Sequence, residues 1–317
     1  MKKIFAITLF FLIGISLIFS FSAEAQENIV PSWIKNTTSF WVDGEVSDTE
    51  FINAVKFLIE SEILVIETES LIDDQGDFYI TYKENPNTPF ENSSRDWLIS
   101  NEYLELQTEF LNELFRLPYD VEILAMECDE ANMFYDWELK QIILCYEFID
   151  QVYVDFTAYY EDNPDLHVTD DDITVMIYDV MDFIFYHEVG HALADVYELP
   201  ITGLEENAVD QFATMSMFFY EYEPDADVIT GQDILYNVGT WFFIQTQNNY
   251  ERIYWDTHNL DIQRFYNISC YSYGQNPDYN QDLIDEGWLP EDRAINCEYE
   301  YITLIDSWNK LLEPYYQ

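Results

Sequence analysis

The sequence predicts an α+β chain, and three observations carry that expectation. From Asp170 to Leu199 the residues keep a helical period without a break. Two stretches, VEILAMEC (121–128) and QIILCYE (141–147), read as strands around the polar DEANMFYDWELK (129–140), so a hairpin is expected over 121–147. Beyond residue 200 the pattern is mixed but mostly helical and rich in aromatic residues.

The N-terminus reads as an export signal. Lys2 and Lys3 are basic, Ile4 to Phe21 are an apolar run, and Ala23-Glu24-Ala25 offers an A-x-A cleavage site before Gln26. Residues 1–25 are therefore expected to be removed, with a retained anchor as the alternative. No Cys follows the run, which argues against a lipoprotein anchor. No later stretch approaches the ~20 apolar residues of a membrane span. The mature chain is expected to be secreted or at the cell surface, without a stable membrane span.

Residues 31–66 form the next segment. Trp33, Ile34, Phe40 and Trp41 suit one helical face, Asp43-Gly44 a turn, and Ser47 or Asp48 the cap of a second helix bearing Phe51, Ile52, Val55, Leu58 and Ile59. The W-x-x-G-x-[IV]-[SG]-D-x-[ED]-F-[IV] pattern here resembles a small two-helix module of secreted archaeal proteins. Residues 67–94, with DDQGD and NPNTP, read as a linker. The main domain is expected over 95–317, beginning with DWLISNEYLELQTEFLNELFRLP (96–118), helical until Pro118. Asp170 to Asp172 read as the acidic start of the long helix, Pro200 and Gly203 as its break, and a second helix is expected from about Leu204 to Tyr220.

Twelve basic residues against 62 acidic ones leave a net charge of −50. Such a surface repels phosphate backbones and anionic lipid, so nucleic acid is excluded as a partner. Four cysteines, Cys128, Cys145, Cys270 and Cys297, suit two disulfides in an exported protein. Of the three pairings, the local ones are expected, because each brackets a compact segment. No C-x-x-C occurs to suggest a thiolate metal site.

The helix from Asp170 carries HEVGH. His187 and His191 lie four apart, so they project from one face about one turn apart and can bind one Zn²⁺. Glu188 lies beside them as a general base for a metal-activated water. With four histidines in 317 residues, chance yields such a match only about 0.005 times. Tyr197 and Ala194 replace the residues a third histidine ligand on an extended motif would need. Asp195 sits a further turn along, too far to share the ion. The next helix, LEENAVDQFA (204–213), can fold back past Pro200 and Gly203. Glu206 is the expected third ligand and Glu205 its rival. Asp210, four residues after Glu206, can orient an imidazole N–H.

HExxH followed by ExxxD is similar to the gluzincin metallopeptidases. Taken with residues 128–147, 199–213, 258–274 and 289–300, the chain resembles the secreted metallopeptidase family DUF4344 over about 95–315. Asn207 stands where that pattern leads one to expect Asp. The resemblance implies a zincin-like core, a zinc ion and hydrolysis of a peptide or protein substrate. The alternatives are hydrolysis of another amide, such as a cell-wall peptide, or a non-catalytic zinc-binding surface protein. His258 is the expected oxyanion-stabilising residue, with Arg264 second and a buried ion pair as its alternative role. An edge strand of the 121–147 segment can hold an extended peptide by strand addition. Oligomeric state is not legible.

Overall fold

The computed structural model describes residues 40–42, 44, 46–60, 74–84, 89–219, 230–247, 255 and 257–317. They fall in two units, one within Phe11–Leu71 and one from Ile72 onward. The expected signal segment 1–25 lies outside the described residues. In the small unit, helix α1 (Asp48–Glu60) is preceded by a turn at Gly44, whose φ of 77° suits glycine. Ser47 Oγ accepts from Glu50 N at 3.3 Å while the Glu50 carboxylate accepts from Ser47 N at 3.1 Å, a reciprocal cap. Trp41 stacks on Phe51 with ring centroids 4.4 Å apart.

The large unit begins with strand β1 (Phe78–Tyr82), helices α2 (Pro89–Ser100) and α3 (Tyr103–Leu114), and strands β2 (Val121–Met126), β3 (Met133–Asp136) and β4 (Gln141–Cys145). It continues through α4 (Tyr146–Asp162), α5 (Asp170–Val196), α6 (Glu205–Phe218), α7 (Gly231–Gln247) and α8 (Asp261–Gln275). Two short helices follow, α9 (Asp282–Asp285) and α10 (Glu291–Ala294), and then α11 (Cys297–Leu312). The class is α+β, with a small mixed sheet and mostly helices around it.

Three expectations need correction. Residues 67–94 are not a featureless connection, because they carry β1 and the start of α2. The short apolar alternation of Phe78, Ile80 and Tyr82 was hidden between polar flanks. Nor do 121–147 form a hairpin. The sheet order is β1-β2-β4-β3, with β2 and β4 parallel and β3 antiparallel to β4. The polar stretch between the two apolar strands supplies β3, which pairs on the far side of β4. The helical stretch expected up to Pro118 is likewise broken at Glu102, where φ is 53°.

The sheet obeys the period of two. Val121, Ile123, Ala125, Ile142 and Leu144 enter the main core. Leu124, Ile143 and Cys145 face the other way into a smaller cluster with Met126, Cys128 and Phe134. Burying each Leu or Ile stabilises by about 1.5–3 kcal/mol. A Cys128–Cys145 disulfide closes the small cluster, with Cα atoms 5.4 Å apart. A second, Cys270–Cys297, joins α8 to the start of α11 at a Cα separation of 5.1 Å. Among the described residues no helix is long and apolar enough to cross a membrane.

Helix α5 is the centre of the unit. Its cap is Thr169, one residue before the acidic run: Thr169 Oγ1 accepts from Asp172 N, and the Asp172 carboxylate accepts from Thr169 N at 2.8 Å. Asp170 to Asp172 then lie in the first turn, where the helix dipole favours negative charge. Every residue from Asp179 to Gly190 is buried. A helix covered on all sides has no solvent face for its polar groups, so each must find a partner inside. Asp179 accepts from Asn237 Nδ2 at 2.6 Å. Asp182 accepts from Tyr103 Oη at 2.9 Å and Gln107 Nε2 at 2.8 Å. Tyr186 donates to Gln107 Oε1 at 2.9 Å. His187 and Glu188 are left for the site.

Candidate metal centre

The break after α5 is a tight reversal. Leu199 N bonds back to Ala194 O at 2.8 Å, and α6 starts at Glu205. The returning helix comes close because residue 190 is glycine. A Cβ there would lie 3.0 Å from Val209 Cβ and 3.1 Å from Phe212 Cδ1. HEVGH thus supplies both donors and the gap that admits the next helix.

His187 and His191 lie one turn apart with ring centroids at 5.0 Å. Glu206 points between them. Its Oε2 is 3.2 Å from His187 Nε2 and 3.3 Å from His191 Nε2. His258, from the loop before α8, brings its Nε2 to 3.0 Å from the same oxygen. Glu205 does not reach this centre. Its Oε1 lies 2.7 Å from His191 Nδ1, behind the ring, and its side chain is 51% exposed. The geometry therefore separates the two glutamates that the sequence left as rivals.

The far nitrogen of His187 is equally held. Asp210 Oδ1 lies 2.8 Å from His187 Nδ1. Arg264 grips Asp210 in turn, and its guanidinium also lies over the Phe242 ring at 4.1 Å. Arg264 is spent on this buried pair. Asn259, beside His258, donates from its amide to Asn207 Oδ1, which ties the His258 loop to α6. An Asp at 207 would accept the same bond.

Glu188 lies on the other side of His187, with Oε1 4.0 Å from Nε2. The backbone N–H of Tyr135 on β3 donates to its carboxylate. Burial pushes the Glu188 carboxyl up, against the pull of His187 and His191. Asp195 is not at the centre: its Oδ2 accepts from Tyr135 Oη at 2.7 Å and from Lys140 Nζ at 2.5 Å. These bonds fasten β3 to α5. The roles of Tyr135 and Lys140 were not foreseen, although both fall inside the family-like stretch 128–147.

The protonation of this cluster tests whether a cation fits it. Burial works to lower the His187 pKa, but Asp210 and Glu206 outweigh it and hold it up at about 9. Burial would raise Glu206, yet hydrogen bonds from three imidazoles hold it far below the usual carboxylate range. Burial would likewise raise Asp210, but Arg264 and His187 bring it to about 2. Protons alone can hold this cluster together only if imidazoles are doubly protonated. Each Nδ1 of His187 and His191 faces a carboxylate, so each ring placed as Nδ1–H presents a lone pair at Nε2. A divalent cation among these Nε2 atoms and Glu206 would replace the protons. His187, Glu206 and His258 already offer donor atoms within 4.8 Å of one another. The nitrogen-and-carboxylate set suits zinc.

Two histidines one turn apart, a carboxylate from the following helix and a buried glutamate beside them form the arrangement of an HExxH metal centre. The DUF4344 family profile, described as "Putative metallopeptidase", matches residues 82–312, and the chain belongs to that family. The match contains every residue of the cluster. Comparisons with curated proteins and with solved structures returned no match.

Proposed function

We propose that this chain is an exported zinc-dependent peptidase. His187, His191 and Glu206 would hold the ion, and Asp210 would keep His187 in the tautomer that leaves Nε2 free. A zinc ion bound there supplies Lewis acidity, polarising the scissile carbonyl and making the attacking water more acidic. Glu188 accepts the proton of that water and passes it to the leaving amine. Its burial favours the first transfer, because a carboxylate poorly solvated as an anion takes up a proton more readily. His258, 49% exposed and outside the two ligand helices, donates to the oxyanion that develops on the substrate.

The observation that carries this reading is the placement of Glu188. A site kept only for structure needs no buried carboxylate beside the donor ring, and Glu188 contributes nothing to the ring around Glu206. Strand β3 supports a peptide substrate. It is the edge of the sheet, and its Tyr135 N–H meets Glu188, so an extended chain along that edge would pass the base. Export is supported by the N-terminal pattern and by two disulfides, which persist outside a reducing cytoplasm. A second reading, favoured by the 3.0 Å approach of His258 to Glu206, makes His258 a fourth ligand.

The test is Glu188→Gln, with metal content and digestion of a peptide library measured on both proteins. The variant should keep about one zinc per chain and lose at least ~100-fold in activity. Purified wild-type protein that takes up no zinc would overturn the proposal.

A further inference from the structure

Glu188 and Asp195 lie seven residues apart on α5, about two turns, so both project from one face of the helix. That face meets strand β3, and a single residue of the strand reaches both carboxylates. The Tyr135 backbone N–H donates to Glu188, and the Tyr135 hydroxyl donates to Asp195 Oδ2 at 2.7 Å. The two imidazoles of α5 face Glu206 on α6 instead. The hydrogen bond from Tyr135 to Glu188 therefore comes from outside the helices that carry the donor set.

The Glu188 side chain is only 7% exposed, so solvent does little to orient it. Its direction depends on the groups that donate to it. Taken alone, β3 is a weak platform for that task. It has four residues, pairs with β4 on one side and ends the sheet on the other. Such an edge opens more easily than a strand inside a sheet.

Asp195 supplies what the sheet does not. Its Oδ2 takes the Tyr135 hydroxyl and also Lys140 Nζ at 2.5 Å, so it holds both the strand and the far end of the turn that follows. Within that turn, Asp136 Oδ1 accepts from Glu138 N at 2.9 Å and from Leu139 N at 3.0 Å. Burial, and then Asp195, push the Tyr135 phenol well above its usual pKa, so it stays a donor. The bond to Asp195 likewise holds the Lys140 ammonium above its usual pKa, so it stays charged.

We propose that Asp195 is a positioning residue for the general base: through Tyr135 and Lys140 it holds the β3 backbone where the Tyr135 N–H fixes the Glu188 carboxylate for proton transfer. The inference rests on the role proposed above for Glu188, and its test keeps the two apart.

Amide exchange on the full chain reads the positioning without turnover. The Tyr135 amide should exchange at least ~10-fold faster in Asp195→Ala than in wild type. Asp195→Asn keeps an acceptor oxygen for both donors and should restore most of the protection. Tyr135→Phe removes the hydroxyl bond alone, should speed the same exchange, and decides the matter if Asp195→Ala does not fold. Zinc affinity should stay within about twofold, because the hydrogen bonds of His187, His191 and Glu206 come from α5, α6 and His258. In the peptide assay, Asp195→Ala should lower kcat about 10–100-fold, but by less than about twofold when Glu188 is already Gln. A residue that only stabilises the fold would lower kcat equally in both backgrounds, and that result overturns the proposal. So does an unchanged Tyr135 exchange rate. If Glu188→Gln is as active as wild type, the base assignment falls and the positioning role with it. If Glu188→Gln is inactive and Asp195→Ala keeps full kcat, only the positioning role falls.

Discussion

Arg264 holds Asp210 with two nitrogens, Nε at 2.9 Å from Oδ2 and Nη2 at 2.6 Å from Oδ1. The same Oδ1 faces His187 Nδ1, so the guanidinium sets the angle of the carboxylate that sets the angle of the ring. Arg264→Lys keeps the charge and loses the fork. Zinc affinity, measured by competition with a chelator, should fall about 10–100-fold with the fold intact by circular dichroism. Unchanged affinity would show that Arg264 does not position the site.

His258 separates two roles through two readouts. If it donates to the oxyanion, His258→Ala lowers kcat by about 10²–10³ and leaves zinc affinity unchanged. If it is a fourth ligand, zinc affinity falls with activity, and excess zinc restores part of the rate. Both quantities come from one zinc titration followed by assay.

Gly190→Ala probes the approach of α6 to α5. The added methyl meets Val209 and Phe212 at 3.0–3.1 Å, so α6 must retreat by a few tenths of an ångström. Overpacking of this kind costs about 1–3 kcal/mol. Chemical denaturation should show that loss, and zinc affinity should fall with it because Glu206 rides on the displaced helix.

Asp182 makes stability depend on pH. Burial raises its pKa to about 7, outweighing the hydrogen bonds from Tyr103 and Gln107. The native state therefore holds this proton more tightly than the unfolded chain. Stability from this group is complete below about pH 4 and is lost as pH rises through about 7. Asp182→Asn keeps an acceptor for both donors and cannot ionise. The variant should gain on wild type as pH rises from 4 to 8, on the order of a few kcal/mol by urea titration. A constant difference across that range would exclude the raised pKa.

The local chemistry of the site was open to sequence reasoning because it is short in sequence. HEVGH puts two imidazoles on one helical face whatever surrounds them, and Pro200 with Gly203 ends the helix in any context. The family relationship also rests on contiguous stretches. The helices α5 and α6 and both cysteine pairings come from signals within about thirty residues. The sheet was harder to read. Strand polarity depends on which edges pair, so a polar stretch that becomes β3 makes β2 and β4 parallel neighbours in place of a hairpin.

What the sequence determined by itself is therefore the two imidazoles on one face of α5, the two glutamates at the start of α6 and the family. Only the tertiary structure places the two glutamates relative to the imidazoles. Glu205 and Glu206 are adjacent and chemically identical, so no local signal tells them apart. Their side chains differ by about 100° around the helix axis. The approach angle of α6, set by the missing side chain at Gly190, turns Glu206 toward the imidazole Nε2 atoms and Glu205 behind His191. His258 and Arg264 joined them for the same reason. Each lies more than fifty residues along the chain from the carboxylate it meets, His258 from Glu206 and Arg264 from Asp210, and only packing of the α8 region against the core brings them within reach.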